Sequence, residues 1–271
     1  MNILVTLDEN YVPYLNVMLF SLKESNKGEF FDVYLLHTDM REGALDETRR
    51  ILGEQGKINM LRADEKMLDS APTTSRYPKE IYYRIFAAKY LPAELDRVLY
   101  LDPDIIVNKS VSELYSLDMG YSYFAAASHI ESTVMHKMNE LRLDMDEESP
   151  YINSGVMLMN LKKLREEQDI AEVFDFIERR KKLLVLPDQD IISSLYGSRI
   201  IPLDTFRYNM TERLYMLHAP FEKKLNLDWI RENSAVIHYC GRNKPWKSGY
   251  VGVLDVFYKE ANEKMQKKAF R

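Results

Sequence analysis

The chain has 271 residues, of which 46% are hydrophobic and 29% charged, and its formal net charge is −5. This is the composition of an ordinary globular protein that is long enough to bury a substantial core. The acidic balance argues against a nucleic-acid partner, so phosphate binding would have to come from local basic residues. Neither G-x-x-x-x-G-K-[ST] nor G-x-G-x-x-G occurs, which argues against P-loop and dinucleotide enzymes.

Cysteine content and hydropathy favour a reducing compartment. Cys240 is the only cysteine, so the sequence has no intrachain disulfide framework. The first residues lack a basic segment followed by a long apolar one, and no apolar run approaches the ~18 residues that span a bilayer. We therefore expect a cytoplasmic protein.

In chain order, the first hundred residues alternate strand and helix patterns. Apolar strand patterns occupy 2–7, 31–38, 57–63 and 97–101. Helical spacing of apolar residues is present near 11–22, 42–54 and 78–91. This alternation predicts an α/β fold with a mainly parallel, Rossmann-like sheet that is flanked by helices.

The pattern loosens after residue 104. Strand patterns recur at 123–128, 155–161 and 235–239. Helices are expected near 169–183 and 188–196. Because the sequence contains no internal repeat and no linker-like stretch, we predict one α/β domain over 1–250 and a short helical extension over 251–271.

The C-terminal extension has a basic amphipathic pattern. From 241 to 271 the chain carries eight Lys and Arg residues and three acids. Leu254, Phe257, Tyr258 and Met265 fall near one face of the predicted helix, and lysines lie elsewhere. The pattern suits packing on the domain, or peripheral contact with an anionic membrane at the inner membrane face.

Two aspartates follow the fourth strand in the segment VLYLDPDIIV. Asp102 and Asp104 flank Pro103, and residues i and i+2 of an extended chain project to the same face. Asp8 follows the first strand in the same way, and ligands of open α/β sheets bind outside the carboxyl ends of strands. A divalent cation would compensate the two charges, and an Asx-turn at a strand end is the alternative.

Context separates this pair from two other pairs with the same spacing. Asp144 and Asp146 lie in an acidic run that is typical of a solvated loop. Asp188 and Asp190 follow Pro187 at a predicted helix start, where acids interact favourably with the helix macrodipole.

The late segment VIHYCGRNKPWK adds an imidazole and cations. His238 lies near the end of a strand pattern, where a histidine of the core is the alternative to a metal ligand. Gly241 provides backbone freedom and Lys244 a positive charge, and a diphosphate beside a metal ion needs both. Carboxylates combined with imidazole favour Mn²⁺ over Ca²⁺, because imidazole is the softer ligand.

Six ordered motifs resemble those of family 8 of the glycosyltransferases, which includes bacterial lipopolysaccharide galactosyl- and glucosyltransferases and resembles glycogenin. The motifs are VTLDENY, YYRIFAAKYLP, VLYLDPDIIV, YINSGVMLMNL, LPDQDIIS and IHYCGRNKPWK, over about residues 1–250. The resemblance implies a GT-A type fold, a UDP-sugar donor and Mn²⁺, with Mg²⁺ as an alternative. It also implies transfer with retention at the anomeric carbon.

The resemblance further implies roles for individual residues. The expected metal ligands are Asp102, Asp104 and His238, with the ribose as another partner for Asp102. The expected contacts to uracil and ribose are Thr6, Asp8 and Asn10. The expected contacts to the donor's sugar or diphosphate are Arg84, Gly241 and Lys244. The expected catalytic residues around the transferred sugar are Asn153, Asp188 and Gln189.

These roles have simpler alternatives. Arg84 could be a surface residue of its helix, Asn153 part of a turn, and Asp188 the N-cap or first-turn acid of its helix. The chain also departs from the family at His129, where an acid commonly ends the strand. Since imidazole can donate as well as accept a hydrogen bond, the identity of the donor sugar stays open.

Together these features predict a metal-dependent retaining hexosyltransferase. It would move galactose or glucose from a UDP-sugar to a saccharide or lipid-linked saccharide acceptor. A self-glycosylating primer like glycogenin and a UDP-sugar-binding protein without transfer are the alternatives. Gln189 is a poor nucleophile, which favours front-face attack, and Asp188 as a covalent nucleophile is the other possibility.

Overall fold

In the computed structural model of the chain, the described residues are 1–68, 71–73, 79–128 and 133–269. The strands are β1 (Asn2–Thr6), β2 (Phe31–His37), β3 (Gly56–Arg62), β4 (Arg97–Leu101), β5 (Ile105–Val107), β6 (Phe124–Ala127), β7 (Val156–Asn160), β8 (Ile200–Leu203) and β9 (Val236–His238). The α-helices are α1 (Val12–Ser25), α2 (Asp46–Leu52), α3 (Glu80–Tyr83), α4 (Ala87–Tyr90), α5 (Ser112–Tyr115), α6 (Thr133–Leu143), α7 (Leu161–Glu167), α8 (Ile170–Arg180), α9 (Pro187–Tyr196), α10 (Thr205–Tyr208), α11 (Glu212–His218), α12 (Leu227–Asn233) and α13 (Asp255–Ala269). Short 3₁₀ turns lie at Glu9–Tyr11, Glu42–Leu45, Gly53–Gln55, Glu65–Leu68, Arg84–Phe86 and Gly197–Arg199.

Seven strands of the described chain form one sheet in the order β3-β2-β1-β4-β7-β6-β8. The first four are mutually parallel, β6 is parallel to β8, and β7 runs antiparallel to both β4 and β6. Parallel neighbours need crossover connections, and helices such as α1 and α2 provide them. The sheet confirms the predicted α/β class and its mainly parallel character.

The central strands lie between two hydrophobic clusters. Leu4 of β1 and Tyr100 of β4 belong to one cluster, while Ile3 and Leu99 belong to the other. Successive side chains of a strand point to opposite faces, so each of these strands contributes to both clusters. A parallel strand that is covered on both faces reads as a continuous apolar run, which is why β1 and β4 were predictable.

Two predicted helices differ in detail from the structure. The helix expected near 78–91, whose first residue lies outside the described residues, is interrupted by the 3₁₀ turn Arg84–Phe86. At that turn the Arg84 guanidinium donates to the Ser154 carbonyl at 3.3 Å, a contact outside the helix. The helix expected near 42–54 begins as a 3₁₀ turn and becomes α-helical at Asp46.

Two strands and six α-helices of the described chain were not predicted: β5, β8, α5, α6, α7, α10, α11 and α12. β5 is too short to show a periodic pattern, and β8 carries Pro202 at an edge of the sheet, where proline is tolerated. α6 combines apolar and charged residues without a clear apolar face. Strand and helix patterns are weak signals in such short or mixed segments.

The chain leaves the large sheet after β4. β5 pairs with β9 in a separate antiparallel ladder in which Ile105 lies opposite His238. The backbone N–H of Tyr239 donates to the carbonyl of Asp104 at 3.0 Å. This ladder therefore brings the residues before β5 next to those at the end of β9.

α13 packs against the body of the protein with its apolar face. Phe257, Tyr258 and Met265 are buried in a cluster that includes Val17 and Phe20 of α1. The packing alternative is thus the one the structure adopts, and this apolar face is not available to a membrane.

The boundary between a domain of 1–250 and an extension of 251–271 stays a prediction. Among the described helices, none is long and apolar enough to cross a membrane.

Glu212 of α11 holds the segment that leads into α13. Its carboxylate accepts from the Tyr250 hydroxyl at 2.7 Å. It also accepts from the backbone N–H groups of Val253 and Leu254 at 3.1 and 2.9 Å. One side chain therefore fixes the approach to the C-terminal helix.

We expect Glu212→Ala to lower the free energy of unfolding by about 1–3 kcal/mol, because three donors lose their acceptor. Urea unfolding measures this change. Glu222→Ala is the matched control, since this carboxylate lies in the turn after the same helix and contacts His218 at 3.3 Å. Equal losses in the two variants would show that Glu212 has no special part in holding the segment.

Candidate active site

A cleft of about 850 Å³ opens at the carboxyl ends of β1 and β4. Thr6 ends β1 and Asp102 directly follows β4, and both line the cleft. The start of α9 and the loop after β9 form other parts of the lining. This is the edge of the sheet at which open α/β folds bind their ligands.

Asp102, Asp104 and His238 meet in this cleft. Each offers a ligand atom, and these atoms all lie within 4.8 Å of one another. His238 Nε2 is 3.3 Å from Asp104 Oδ1 and 3.7 Å from Asp102 Oδ2. The structure thus brings together the three residues expected to bind metal, and the pairing of β5 with β9 is the reason.

The hydrogen bonds of this cluster fit a divalent cation. His238 Nδ1 lies 2.8 Å from Asn209 Oδ1, an acceptor that places the ring proton on Nδ1 and a lone pair on Nε2. Nε2 then faces Asp104 Oδ1, which accepts no hydrogen bond from the described residues. Two acceptors this close repel each other unless a cation or a second imidazole proton lies between them. Two carboxylates and an imidazole form a ligand set that suits Mn²⁺.

Gly155 leaves the space in which the cluster forms. A Cβ atom at this position would lie 2.3 Å from His238 Cε1 and 2.7 Å from Asp102 Oδ2. The Gly155 carbonyl accepts from the Asp102 N–H at 2.8 Å, so the two segments are also held together. The YINSG motif therefore needs glycine at this position, because Asp102 and His238 approach its Cα too closely for a side chain.

Lys244 lies beside the cluster and is buried. Its ammonium forms an ion pair with Asp104 Oδ2 and donates to the Tyr239 carbonyl at 2.9 Å. Burial works against ionisation of Asp104, but the positive charge of Lys244 outweighs it and holds the pKa of this carboxyl below its usual range. Asp104 therefore stays ionised, as a metal ligand must be.

Arg84 links the carboxylate cluster to the start of α9. Its guanidinium lies 3.1 Å from Asp102 Oδ1 and 3.1 Å from Asp188 Oδ2, and it stacks over the Tyr100 ring at 4.3 Å. Burial disfavours its charge, yet the carboxylate of Asp102 and its neighbours raise the pKa of Arg84. Arg84 is only 5% exposed, which excludes the surface alternative.

The residues expected to be catalytic adjoin this ion pair. Ser154 Oγ donates to Asp188 Oδ2 at 2.6 Å, and Asn153 Nδ2 donates to Gln189 Oε1 at 2.9 Å. Burial raises the pKa of Asp188, while Arg84 and Ser154 oppose the shift. Asp188 lies in the first turn of α9, and no side-chain cap begins this helix. Asp188 is therefore a first-turn acid of α9 and not its N-cap, and its contacts with Arg84 and Ser154 are additional to that position.

The residues after β1 divide into two groups. Thr6 Oγ1 lies 3.0 Å from the Tyr100 hydroxyl, which donates to Asp102 Oδ1 at 2.6 Å. Asp8 lines the cleft and accepts from the Asn10 N–H at 2.9 Å. Asn10 itself is exposed and lies outside the described cleft lining. The structure thus places Thr6 and Asp8 at the site but not Asn10.

Sequence reasoning missed four residues of the site: Tyr100, Ser154, Gly155 and Asn209. Tyr100 lies two residues before Asp102 on the same face of β4, so the strand period could have found it. Ser154 could have been found only as the neighbour of Asn153. Asn209 had no sequence signal, because its contact with His238 depends on the tertiary fold.

The remaining expected residues are Gly241 and His129. Gly241 lines the cleft and has a φ of 85°, in the left-handed region that glycine adopts without strain. His129 lies outside the described residues, so the structure does not test the departure from the family pattern at this position.

The sheet, with its cleft at the carboxyl ends of the strands, has the architecture of the GT-A fold. The galactosyltransferase LgtC, solved in complex with donor and acceptor sugar analogues, matches with a TM-score of 0.82 at 24% identity, over 97% of this chain and 96% of that chain. The glycosyltransferase GlyE of Streptococcus pneumoniae TIGR4 matches with a TM-score of 0.73 at 22% identity, over 99% of this chain and 62% of that chain. These likenesses confirm the predicted fold.

The chain belongs to glycosyl transferase family 8, whose sequence profile matches residues 2–249. A lipopolysaccharide 1,2-glucosyltransferase of Escherichia coli is 29% identical over 89% of this chain and 71% of its own length. General stress protein A of Bacillus subtilis strain 168 is 28% identical over 92% of this chain and 88% of its own length. Membership confirms the family resemblance, and it implies a nucleotide-sugar donor and a saccharide acceptor.

We expect Gly155→Ala to weaken Mn²⁺-dependent binding of UDP by about 10-fold or more, because the new methyl group displaces two metal-ligand candidates. Isothermal titration calorimetry with and without Mn²⁺ measures the change. Gly43→Ala is the control, since the nearest atom to its added Cβ would lie 3.7 Å away in an exposed turn. Unchanged metal-dependent affinity in Gly155→Ala would count against a metal site beside this residue.

Proposed function

We propose that the protein is a metal-dependent retaining hexosyltransferase. It moves galactose or glucose from a UDP-sugar to a saccharide or lipid-linked saccharide acceptor. The observation that carries the proposal is the convergence of Asp102, Asp104 and His238 beside Lys244 in one cleft. Two relatives from Escherichia coli are named lipopolysaccharide 1,2-glucosyltransferases, which makes UDP-glucose the first donor to test. Cys240 as the only cysteine favours a cytoplasmic reaction.

The two ends of the cleft suit the two ends of a nucleoside diphosphate sugar. Asp102, Asp104 and His238 would hold Mn²⁺, or Mg²⁺ in its place, and the ion would offset the charge that grows on the departing diphosphate. Lys244 adds a fixed cation to the same oxygens, and Gly241 lets the backbone approach them.

The nucleoside end of the cleft lies at the end of β1. Thr6 and Asp8 offer a hydroxyl and a carboxylate to uracil and ribose. Asn10 takes part indirectly, since its backbone N–H holds the Asp8 carboxylate.

The polar contacts of the catalytic centre favour front-face attack. Gln189 Oε1 accepts from Asn153 at 2.9 Å, which holds the amide in place at the cleft, and an amide is a poor nucleophile. Asp188 Oδ2 is engaged by Arg84 and Ser154, so this carboxylate positions the arginine. Neither side chain is arranged as an unencumbered nucleophile.

In front-face attack the bond between the anomeric carbon and the phosphate oxygen breaks as the acceptor oxygen bonds to the same face of the sugar. The proton of the acceptor hydroxyl passes to the departing phosphate oxygen. Arg84 and Lys244 provide positive charge where the negative charge develops, which is the electrostatic part of the catalysis. The configuration at the anomeric carbon is thereby retained without a covalent intermediate.

A panel of UDP-sugars with Mn²⁺, scored by hydrolysis and by transfer to added saccharides, tests the proposal. We expect turnover with UDP-glucose or UDP-galactose, and its loss when EDTA removes the metal. Asp104→Ala should lower turnover on the order of 100-fold or more, because one of three ligands and the partner of Lys244 are removed. Asp146→Ala is the matched control, since it belongs to an exposed Asp-x-Asp pair far from the cleft lining.

Three results would contradict the proposal. Full activity in EDTA would exclude metal dependence, and UDP binding without any turnover would identify a binding protein. A hexose increment on the intact protein, located on a tyrosine, would identify a self-glycosylating primer like glycogenin.

We expect no hexose on Asp188 when the enzyme is incubated with its donor and no acceptor. The carboxylate is already engaged by Arg84 and Ser154, and front-face attack needs no covalent intermediate. Quenching in acid followed by peptide mass spectrometry checks this, with Gln189→Ala included as a slow variant. A glycosylated Asp188 peptide in either protein would establish double displacement instead.

A further inference from the structure

The outer face of α11 and the nearby loops expose a group of large apolar side chains. We call them the α11 surface: Met216, Leu217, Phe221, Val251 and Val253, which are 40% to 85% exposed. Phe221 is the most exposed of them, at 85%. Isolated exposed apolar residues are ordinary, but a contiguous group marks an interaction surface.

The members of the α11 surface lie next to one another. Met216 is four residues after Glu212 on the helix, so the two side chains share a face. The Glu212 carboxylate binds the backbone N–H of Val253, which places the 251–253 loop beside this face. The turn that ends α11 brings in Phe221, whose N–H donates to the carbonyl of His218 at 2.9 Å.

Basic residues surround this apolar group. Lys223 and Lys224 follow Phe221 after the single residue Glu222, and both lysines are exposed. Arg213 precedes Met216 and Leu217 by three and four residues, so it lies on the same helix face. Within the described chain, none of these three cations forms an ion pair, whereas Glu222 contacts His218. Although the net charge of the protein is −5, its exposed apolar residues are thus bordered by three cations, Arg213, Lys223 and Lys224, which we call the positive fringe.

The α11 surface also adjoins the mouth of the cleft. Arg213 lines the cleft, and so do the exposed residues Arg242 and Lys247 of the loop after β9. Asn243 of that loop is hydrogen-bonded to the backbone of Val251 at 2.7 and 3.0 Å. The apolar group and the cleft mouth therefore belong to one side of the molecule.

We propose that the α11 surface binds an anionic lipid bilayer. Exposed aromatic and aliphatic side chains enter the boundary between headgroups and acyl chains, while lysine and arginine beside them contact anionic headgroups. A second copy of this chain is a poorer occupant, because its α11 surface would bring the same positive fringe against this one.

Membrane binding would bring the cleft to an acceptor that is carried on a lipid, an inference that rests on the proposed transfer activity. Binding through the α11 surface turns the mouth of the cleft towards the headgroups. A saccharide carried on a membrane lipid would then meet the donor at the membrane surface. Membrane contact by the lysines of α13, whose apolar face is buried, is not needed for this arrangement.

Co-sedimentation of the full chain with vesicles tests the proposal. We expect binding to vesicles of phosphatidylcholine with phosphatidylglycerol, weaker binding to phosphatidylcholine alone, and partial release by salt. The double variant Leu217→Ser/Phe221→Ser should lose about 10-fold or more in its partition to anionic vesicles. Lys223→Gln/Lys224→Gln should reduce both the binding and its salt dependence.

Leu141→Ser on α6 is the matched control, because Leu141 is exposed to the same 85% as Phe221 and lies outside the α11 surface. Unchanged thermal unfolding and UDP binding establish that the variants are folded and that their donor site is intact. Wild-type protein that stays in the supernatant, or a Leu217→Ser/Phe221→Ser variant that sediments like wild type, would overturn the proposal. A concentration-dependent dimer that the same variant abolishes would overturn it too. Vesicle binding without sugar transfer would instead refute the proposed function and leave the membrane surface standing.

Discussion

The antiparallel pairing of β5 with β9 determines where the metal-ligand candidates lie. Asp102 and Asp104 end one segment and His238 ends another, and the two are far apart in sequence. The register that sets Ile105 opposite His238 places the imidazole beside Asp104. A shift of one residue would turn the ring to the other side of the ladder, since strand side chains alternate with period two.

The charges of Asp102, Asp104 and Asp188 would favour a cation in the cleft. Asp102, Asp104 and Asp188 face only two basic partners in the described network, Arg84 and Lys244. Burial makes an uncompensated negative charge costly, and a divalent ion reverses the sign of the excess. The resulting positive site suits a diphosphate. The side-chain charges of Arg84 and Lys244 are in place without a donor, which is the condition for electrostatic catalysis.

Much of this arrangement could be predicted from the sequence, and the limits have physical causes. The apolar runs of β1, β2 and β4 are buried on both faces, so they revealed the sheet, whereas β3 is a partly exposed edge strand. Asp102 and Asp104 were placed at the edge of the sheet by their position after β4. Context, rather than the Asp-x-Asp pattern, separated them from Asp144 and Asp146. What could not be predicted were contacts made across the fold. The hydrogen bond from His238 Nδ1 to Asn209 Oδ1 and the steric demand on Gly155 both depend on pairings that no local pattern encodes.

The C-terminal helix is another case in which the sequence pattern alone could not decide the structure. An apolar stripe with lysines around it is compatible with packing on a domain and with lying on a membrane, because both environments bury the same face. Only the tertiary structure decides, and Phe257 and Met265 of α13 are buried against α1. By contrast, Phe221 belongs to no long amphipathic pattern, yet the turn after α11 leaves it exposed beside unpaired lysines. The surface best suited to a membrane is therefore one that periodicity could not reveal, since exposure is a property of the fold and not of the sequence pattern.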